Sequence, residues 1–337
     1  MNVILTCAGR RNYLLKSFQE ALGNRGQVFA VDSSLEAPAL QEADEGILLP
    51  PIYHSDYFER LLDICQQKQI RLLVPLNDLE LPYLAKQREL FLKIGTIPVV
   101  SSPEVIEICF DKFATFRFLE NNDISSPKTY VSLSAAQAAI QRGEITFPLV
   151  VKPRWGSASI GIEYPEDREE LELAYRYVAK KLHRTVLADI SATDIENCIL
   201  IQERVLGEEY GLDIINDLDG NYITTFVKRK LGMRAGETDR AVTVANEKLQ
   251  TIGQQLAQNL SHIGNLDCDV IVNSQGCYVL ELNPRFGGGY PFSHCAGANL
   301  PATLIAWANG VEPDPSWLML AANVISSKCD RLIVHQQ

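Results

Sequence analysis

The chain has no C-x-x-C pair among its eight cysteines, only five histidines, and fewer basic than acidic residues. The cysteines, at 7, 65, 109, 198, 268, 277, 295 and 329, are scattered through mostly apolar runs. Without clustered thiol and imidazole ligands a zinc site is not indicated, and reduced, buried thiols are expected. No run approaches the ~20 apolar residues of a membrane span. Met1–Gly9 is a short apolar run with no basic segment before it, which reads as a buried strand rather than a signal peptide. No membrane partner is expected, and a cytoplasmic location is. Lys and Arg total 31 against 42 Asp and Glu, a net charge of -11, so the large basic footprint of a nucleic-acid binder is missing.

What is present is ordinary globular material. Of 337 residues, 46% are hydrophobic and 22% charged, enough for a sizeable core and, by length, about two domains. The first hundred residues alternate short apolar strands (Val3–Thr6, Val28–Val31, Leu72–Leu76, Thr96–Val100) with amphipathic helices (Tyr13–Leu22, Tyr57–Cys65, Leu81–Leu92). That alternation predicts a parallel sheet with helices on its faces and ligands at the strands' C-terminal ends, where Cys7–Asn12, Asp32 and Asn77-Asp78 fall. A dinucleotide fingerprint needs several glycines at the first turn, and Ala8-Gly9-Arg10-Arg11-Asn12 has one.

After Ser101 the pattern changes. Helices are expected at Pro103–Phe110, Lys112–Asn121, Glu166–Leu182 and Lys248–Ile263. Strands are expected at Phe147–Lys152, Ile199–Val205, Tyr210–Ile215, Tyr222–Lys228, Asp267–Val272 and Cys277–Leu282, the last pair joined by the Asn273–Gly276 turn. No internal repeat is visible. The expected domains are residues 1–102 and 103–337, the second with a lid-containing lobe at 103–190, a metal and substrate lobe at 191–320 and a short C-terminal segment. The fold class is α/β, becoming α+β in the C-terminal part.

Three segments carry chemistry. In the first, a strand delivers Lys152, and Gly156, Ser157, Ala158, Ser159 and Gly161 follow. Small residues expose backbone N–H groups to phosphate oxygens, although a flexible hairpin tip has the same composition. In the second, Ile201–Tyr210, a strand passes a short link, turns at Gly207 and resumes. Such a link offers backbone donors and acceptors to a purine edge, or is simply a charged hairpin. In the third, Glu281 and Asn283 share one face of a strand by its two-residue period, and Asp269 lies on the partnering strand. Two carboxylates and an amide oxygen suit Mg²⁺, and acids inside apolar strands otherwise carry an unexplained desolvation cost. Arg285, two residues on, would meet a metal-bound phosphate.

Lysine, glycine-rich flap, E-x-V link and acidic hairpin, in this order, resemble the ATP-grasp superfamily over roughly residues 103–310. Lys152–Gly161 and Glu281–Pro291 carry the resemblance and place it near short, single-module relatives of the carbamoyl-phosphate synthase large subunit. The preceding sheet resembles that family's N-terminal domain. The resemblance implies ATP with Mg²⁺ or Mn²⁺, and an ADP-forming carboxylate–amine ligase working through an acyl-phosphate. Lys112 and Lys152 would hold ATP phosphates, and Gly156 to Ser159 would form the flap. Gln202, Glu203 and Val205 would line the adenine and Glu209 the ribose. Asp269, Glu281 and Asn283 would bind metal, and Arg285 would stabilise the transferring phosphate.

The segment Lys228–Thr238, with three cations in five consecutive positions, is expected on the substrate side or as a solvated basic loop, with Arg234 counted among the catalytic residues. Small-molecule carboxylate and amine substrates and a possible homodimer are expected as partners. A carbamoyl-phosphate-synthase-like subunit, a non-catalytic nucleotide-binding module and an oxidoreductase using the N-terminal sheet stay open as alternatives.

Overall fold

The architecture comes from a computed structural model, which describes residues 1–156, 161–185 and 187–335. The N-terminal part is a parallel sheet of β1 (Asn2–Thr6), β2 (Val28–Asp32), β3 (Glu45–Leu48), β4 (Ile70–Pro75) and β5 (Ile97–Pro98), ordered β3-β2-β1-β4-β5. β1 is flanked by β2 and β4, so the strand order reverses beside it and the ends of β1 and β4 open onto a crevice. Both faces of the sheet are covered: Val3 and Leu5 pack with Leu14, Leu15 and Phe18 of the helix Asn12–Leu22, and Ile4 faces the opposite side with Leu61 of Tyr57–Gln67. The first of these helices stops at Gly23, whose φ of 55° is open to glycine.

The expected helix Leu81–Leu92 is two helices, Leu81–Lys86 and Arg88–Lys93, with Gln87 at φ -109° and ψ 9° between them. β3 has an alternating burial pattern and only four residues, too short and polar to announce itself. The helices Pro103–Phe110 and Lys112–Asn121 fall as expected. Each is capped by a side-chain oxygen, Ser102 accepting from Val105 N and Asp111 from Phe113 N.

β6 (Thr129–Tyr130), β7 (Leu149–Pro153) and β8 (Ile199–Glu203) form a small antiparallel sheet, ordered β6-β8-β7, with the helix Arg168–Leu182 packed against it. The larger antiparallel sheet contains β9 (Glu208–Asn216), β10 (Tyr222–Arg234), β11 (Glu237–Thr243), β12 (Gly264–Val272), β13 (Cys277–Asn283) and β14 (Ile325–Ser327), ordered β13-β12-β9-β10-β11-β14. Lys228–Thr238 is thus neither loop nor link but the β10–β11 hairpin.

One face of this sheet, with Leu212, Ile214, Val227, Leu266, Cys268, Val270 and Val279, packs on Leu249, Leu256 and Leu260 of the helix Glu247–Leu260. Strand alternation therefore turns the intervening charged residues to the other face. Five cysteines are buried, but Cys295 and Cys329 are exposed, which corrects the expectation for those two. Among the described residues no helix is long and apolar enough to cross a membrane.

Candidate active site

The charged face of the large sheet is set by register. Asp269 stands opposite both Glu281 and Gly211, and Gly211 opposite Lys228; Asp267 stands opposite both Asn283 and Asp213. Four strands thus contribute one polar band. Lys228 Nζ donates to Asp213 Oδ2 at 2.7 Å, and Ser293 Oγ donates to the same oxygen at 2.5 Å. Lys230 Nζ lies 2.7 Å from both Glu209 Oε1 and Asp269 Oδ1. Burial pushes the Asp269 carboxyl up to about 7 although Lys230 opposes it.

Arg285 ties the two parts of the molecule together. Its Nη1 donates to Asp267 Oδ2 at 3.0 Å, and its Nη2 donates to Asp78 Oδ2, just beyond β4, at 2.9 Å. Arg285 Nε is buried without a hydrogen-bond partner, which is costly unless something else supplies an acceptor. Asp78 and Asp267 received no role from the sequence. Asp78 had one legible signal, its place at the C-terminal end of a parallel strand.

The second wall comes from the small sheet. Lys152 is 7% exposed on β7, and its Nζ donates to Gln202 Oε1 at 2.8 Å. Gln202 Nε2 donates in turn to Thr129 Oγ1. Burial lowers Lys152 to about 8, with Lys112 adding repulsion and Glu281 opposing. Lys112 opens its helix, and its Nζ donates to the Gly156 carbonyl. Arg154 holds this corner: Nε and Nη2 donate to the two oxygens of Asp111, the cap of the Lys112 helix, at 2.8 and 2.6 Å. Burial would raise Glu281, but Lys112, Lys152 and the Asn283 amide keep it below the ordinary carboxylate range. Lys112, Glu281 and Asn283 line one pocket, and the charges of Lys112 and Lys152 both act on Glu281 there.

Among the described residues no group of three His, Cys, Asp or Glu side chains converges as a metal cage. Mg²⁺ ordinarily takes one or two carboxylates plus phosphate and water oxygens, and the oxygens of Glu281 and Asn283 fit that requirement. Asp269 is held by Lys230 and would need release to join them.

The remaining expected residues are less uniform. Gln202 turns its side chain to Lys152, while Glu203 Oε2 accepts from Lys128 N at 3.3 Å. Val205 lies in the link from β8 to β9, half-buried. Gly156 is at φ 104°, and Ser157, Ala158 and Ser159 lie outside the described residues.

Arg234 is not brought to the site. Register shifts around Gly232 break the two-residue phase that aims Lys228 and Lys230 inward. Met233 lines the cleft, while Arg234 pairs outside with Asp330 at 2.5 Å and Asp239 at 3.0 Å. Asp32 accepts from Gly9 N and Ser34 N, which fixes the first turn. A cleft of about 160 Å³ runs between the two parts of the molecule, lined by Asp267, Asp269, Glu281, Asn283 and Arg285 on one side and Arg11, Asn77 and Asp78 on the other.

A PylC-like N-terminal domain family matches residues 3–100, and the ATP-grasp domain family matches residues 109–289. The carbamoyl phosphate synthase large chain of Helicobacter pylori is 24% identical over 204 residues, which is 58% of this chain but 18% of that protein. The chain thus matches under a fifth of that relative's length.

The biotin carboxylase domain of the Hydrogenobacter thermophilus 2-oxoglutarate carboxylase, solved with MgADP, ADP and bicarbonate, superposes with a TM-score of 0.73 at 16% identity, over 96% of this chain and 73% of that one. The L-amino acid ligase of Bacillus licheniformis superposes with a TM-score of 0.68 at 20% identity, over 93% and 75%. At these identities the likeness is one of fold.

Proposed function

Since this chain belongs to the ATP-grasp family, we propose that it is an ADP-forming carboxylate–amine ligase that binds ATP between the small and large antiparallel sheets. The observation that carries this reading is the pocket lined by Lys112, Glu281 and Asn283, with the charge of Lys152 acting on Glu281, beside an arginine with an unpartnered buried Nε. A buried lysine and a half-buried one beside a carboxylate held in its ionised form fit a polyphosphate with its metal better than they fit a closed core.

The residues divide the work as follows. Lys112 and Lys152 hold phosphate oxygens, and the Gly156 to Ser159 segment covers them. The 202–205 link, with Gln202, Glu203 and Val205, borders the adenine, and Glu209 accepts from the ribose. Glu281 and Asn283, joined by Asp269 when Lys230 lets go, would hold Mg²⁺, which supplies charge neutralisation for the phosphates. A substrate carboxylate oxygen bonds to the γ-phosphorus as the bond to the ADP oxygen breaks. Arg285, through Nε, meets the charge that accumulates there. An amine then attacks the acyl carbon and phosphate leaves, with no protein nucleophile required. Asp78 and Asp267 keep the Arg285 fork in place, so the N-terminal sheet positions the catalytic arginine. We place the domain boundary after residue 102 and take a homodimer as the working assembly.

Hydroxylamine trapping tests this reading. With ATP, Mg²⁺, hydroxylamine and a panel of carboxylates, at least one acid yields hydroxamate and ADP in equal amounts. ADP release that ignores every carboxylate, or AMP as the product, counts against it.

A further inference from the structure

Every cation that lines the cleft on the large-sheet side is already paired. Lys228 holds Asp213 at 2.7 Å, Lys230 holds Glu209 and Asp269 at 2.7 Å each, and Arg285 holds Asp78 and Asp267 at 2.9 and 3.0 Å. Arg11, which lines the same cleft from the N-terminal sheet, forms no ion pair with a carboxylate among the described residues. Its Nη1 donates to the Phe286 carbonyl at 3.1 Å and its side chain also bonds the Tyr13 hydroxyl, which together orient the fork and leave further N–H groups for another acceptor. Glu237, the acid that shares this part of the wall, bonds Lys328 Nζ at 2.9 Å and acts on Arg11 only through space, beyond ion-pair distance.

Position supports the same conclusion. Arg11 follows β1, next to the crevice where the strand order reverses and where open sheets bind ligands. It stands one residue after Arg285 in contact order, through the Phe286 carbonyl, yet outside the Lys112, Lys152 and Glu281 group that the phosphates require. A guanidinium with a fixed fork and no directly paired carboxylate among the described residues is suited to a carboxylate or phosphate presented by a ligand.

We infer that Arg11 is a specificity-determining residue that anchors a second anionic group, distinct from the reacting carboxylate, carried by one of the two substrates. The inference rests on the ligase reading for the word substrate, but not for the anion site itself. The second anion belongs either to the acid, as in a dicarboxylate or phosphorylated acid, or to the amine, as in an amino acid whose nitrogen reacts.

The test uses the full chain and matched pairs that differ in one anionic group. Hydroxamate formation compares succinate with butyrate, glutamate with norvaline, and 3-phosphoglycerate with glycerate. Amide formation with the best acid compares β-alanine with propylamine. The wild type favours the doubly anionic acid, or the amine carrying a carboxylate, and Arg11→Gln reduces that preference by about 10- to 100-fold. The loss falls on the KM of that substrate rather than on the KM for ATP, and Arg11→Lys recovers part of it.

Isothermal titration of the same compounds into wild type and Arg11→Gln, with MgADP present, gives a readout that needs no turnover. Selective binding of the more anionic partner by the wild type alone, without turnover of any pair, upholds the anion site and sinks the ligase reading. Equal preference in wild type and Arg11→Gln, by turnover or by titration, overturns the inference.

Discussion

Lys228 Nζ and Asp213 Oδ2 lie 2.7 Å apart, with side-chain exposures of 1% and 0%. They are a fully buried ion pair beneath the charged face of the large sheet, and Asp213 Oδ1 has no hydrogen-bond partner. Removing one member leaves the other charged and dry. Lys228→Met is expected to cost about 3–5 kcal/mol of stability, read as a lower urea midpoint at unchanged slope. A change under about 1 kcal/mol would mean that water reaches Asp213.

Gly287 is a second structural requirement. A Cβ there would stand 2.1 Å from Asp267 Cγ, and Asp267 is one of the two carboxylates that hold Arg285. Gly287→Ala is expected to destabilise by about 1–3 kcal/mol and to lower kcat more than the KM for ATP, because it displaces Arg285 rather than the lysines. A full-activity variant with an unchanged melting temperature would contradict the packing described.

A buried acid in the N-terminal sheet domain predicts a pH effect on stability. Glu80, on the N-terminal sheet domain, is 0% exposed and accepts from Thr6 Oγ1 at 2.6 Å and Tyr57 Oη at 2.5 Å. Burial raises it from 4.5 to about 7. The native state therefore holds a proton that the unfolded chain has lost over that interval. Its contribution is complete below pH 4.5 and falls as the pH rises to about 7, by about 3 kcal/mol in all. The stability difference between wild type and Glu80→Gln, measured by urea titration at several pH values, should decline across this window. A pH-independent difference would place Glu80 as a permanently charged group.

Arg234 provides a contrast. Of its partners Asp330 is exposed and Asp239 half-buried, and its own side chain is 51% exposed. Exposed pairs of this kind contribute about 0–1 kcal/mol. Arg234→Ala is therefore expected to lower kcat/KM by less than about threefold, whereas Glu281→Ala should lower kcat by about a hundredfold or more with the fold retained by circular dichroism.

Much of this layout is legible in the chain. The two-residue period of β12 and β13 places Glu281 and Asn283 together and faces Asp269 toward Glu281, because antiparallel register preserves the face. The alternation of the first hundred residues gives the parallel sheet. What was not legible is long-range or locally weak. Nothing local says that Lys230 will take Asp269, or that Asp78 and Asp267 will share Arg285, since those contacts join strands far apart in sequence. Arg234 reads as inward by simple alternation, and the irregularity at Gly232 reverses it. The strand Glu237–Thr243 carries too little apolar patterning to be separated from a basic loop.

The central claim is that ATP activates a carboxylate as an acyl-phosphate at the Lys152–Glu281 junction. Its most direct measurement uses the carboxylate found by hydroxylamine trapping, labelled with oxygen-18, in a complete reaction with amine, ATP and Mg²⁺. The account predicts that one labelled oxygen appears in the released phosphate for each amide formed, because the carboxylate oxygen stays with phosphorus when the acyl carbon is captured. Phosphate without label, its fourth oxygen drawn from water, would contradict it.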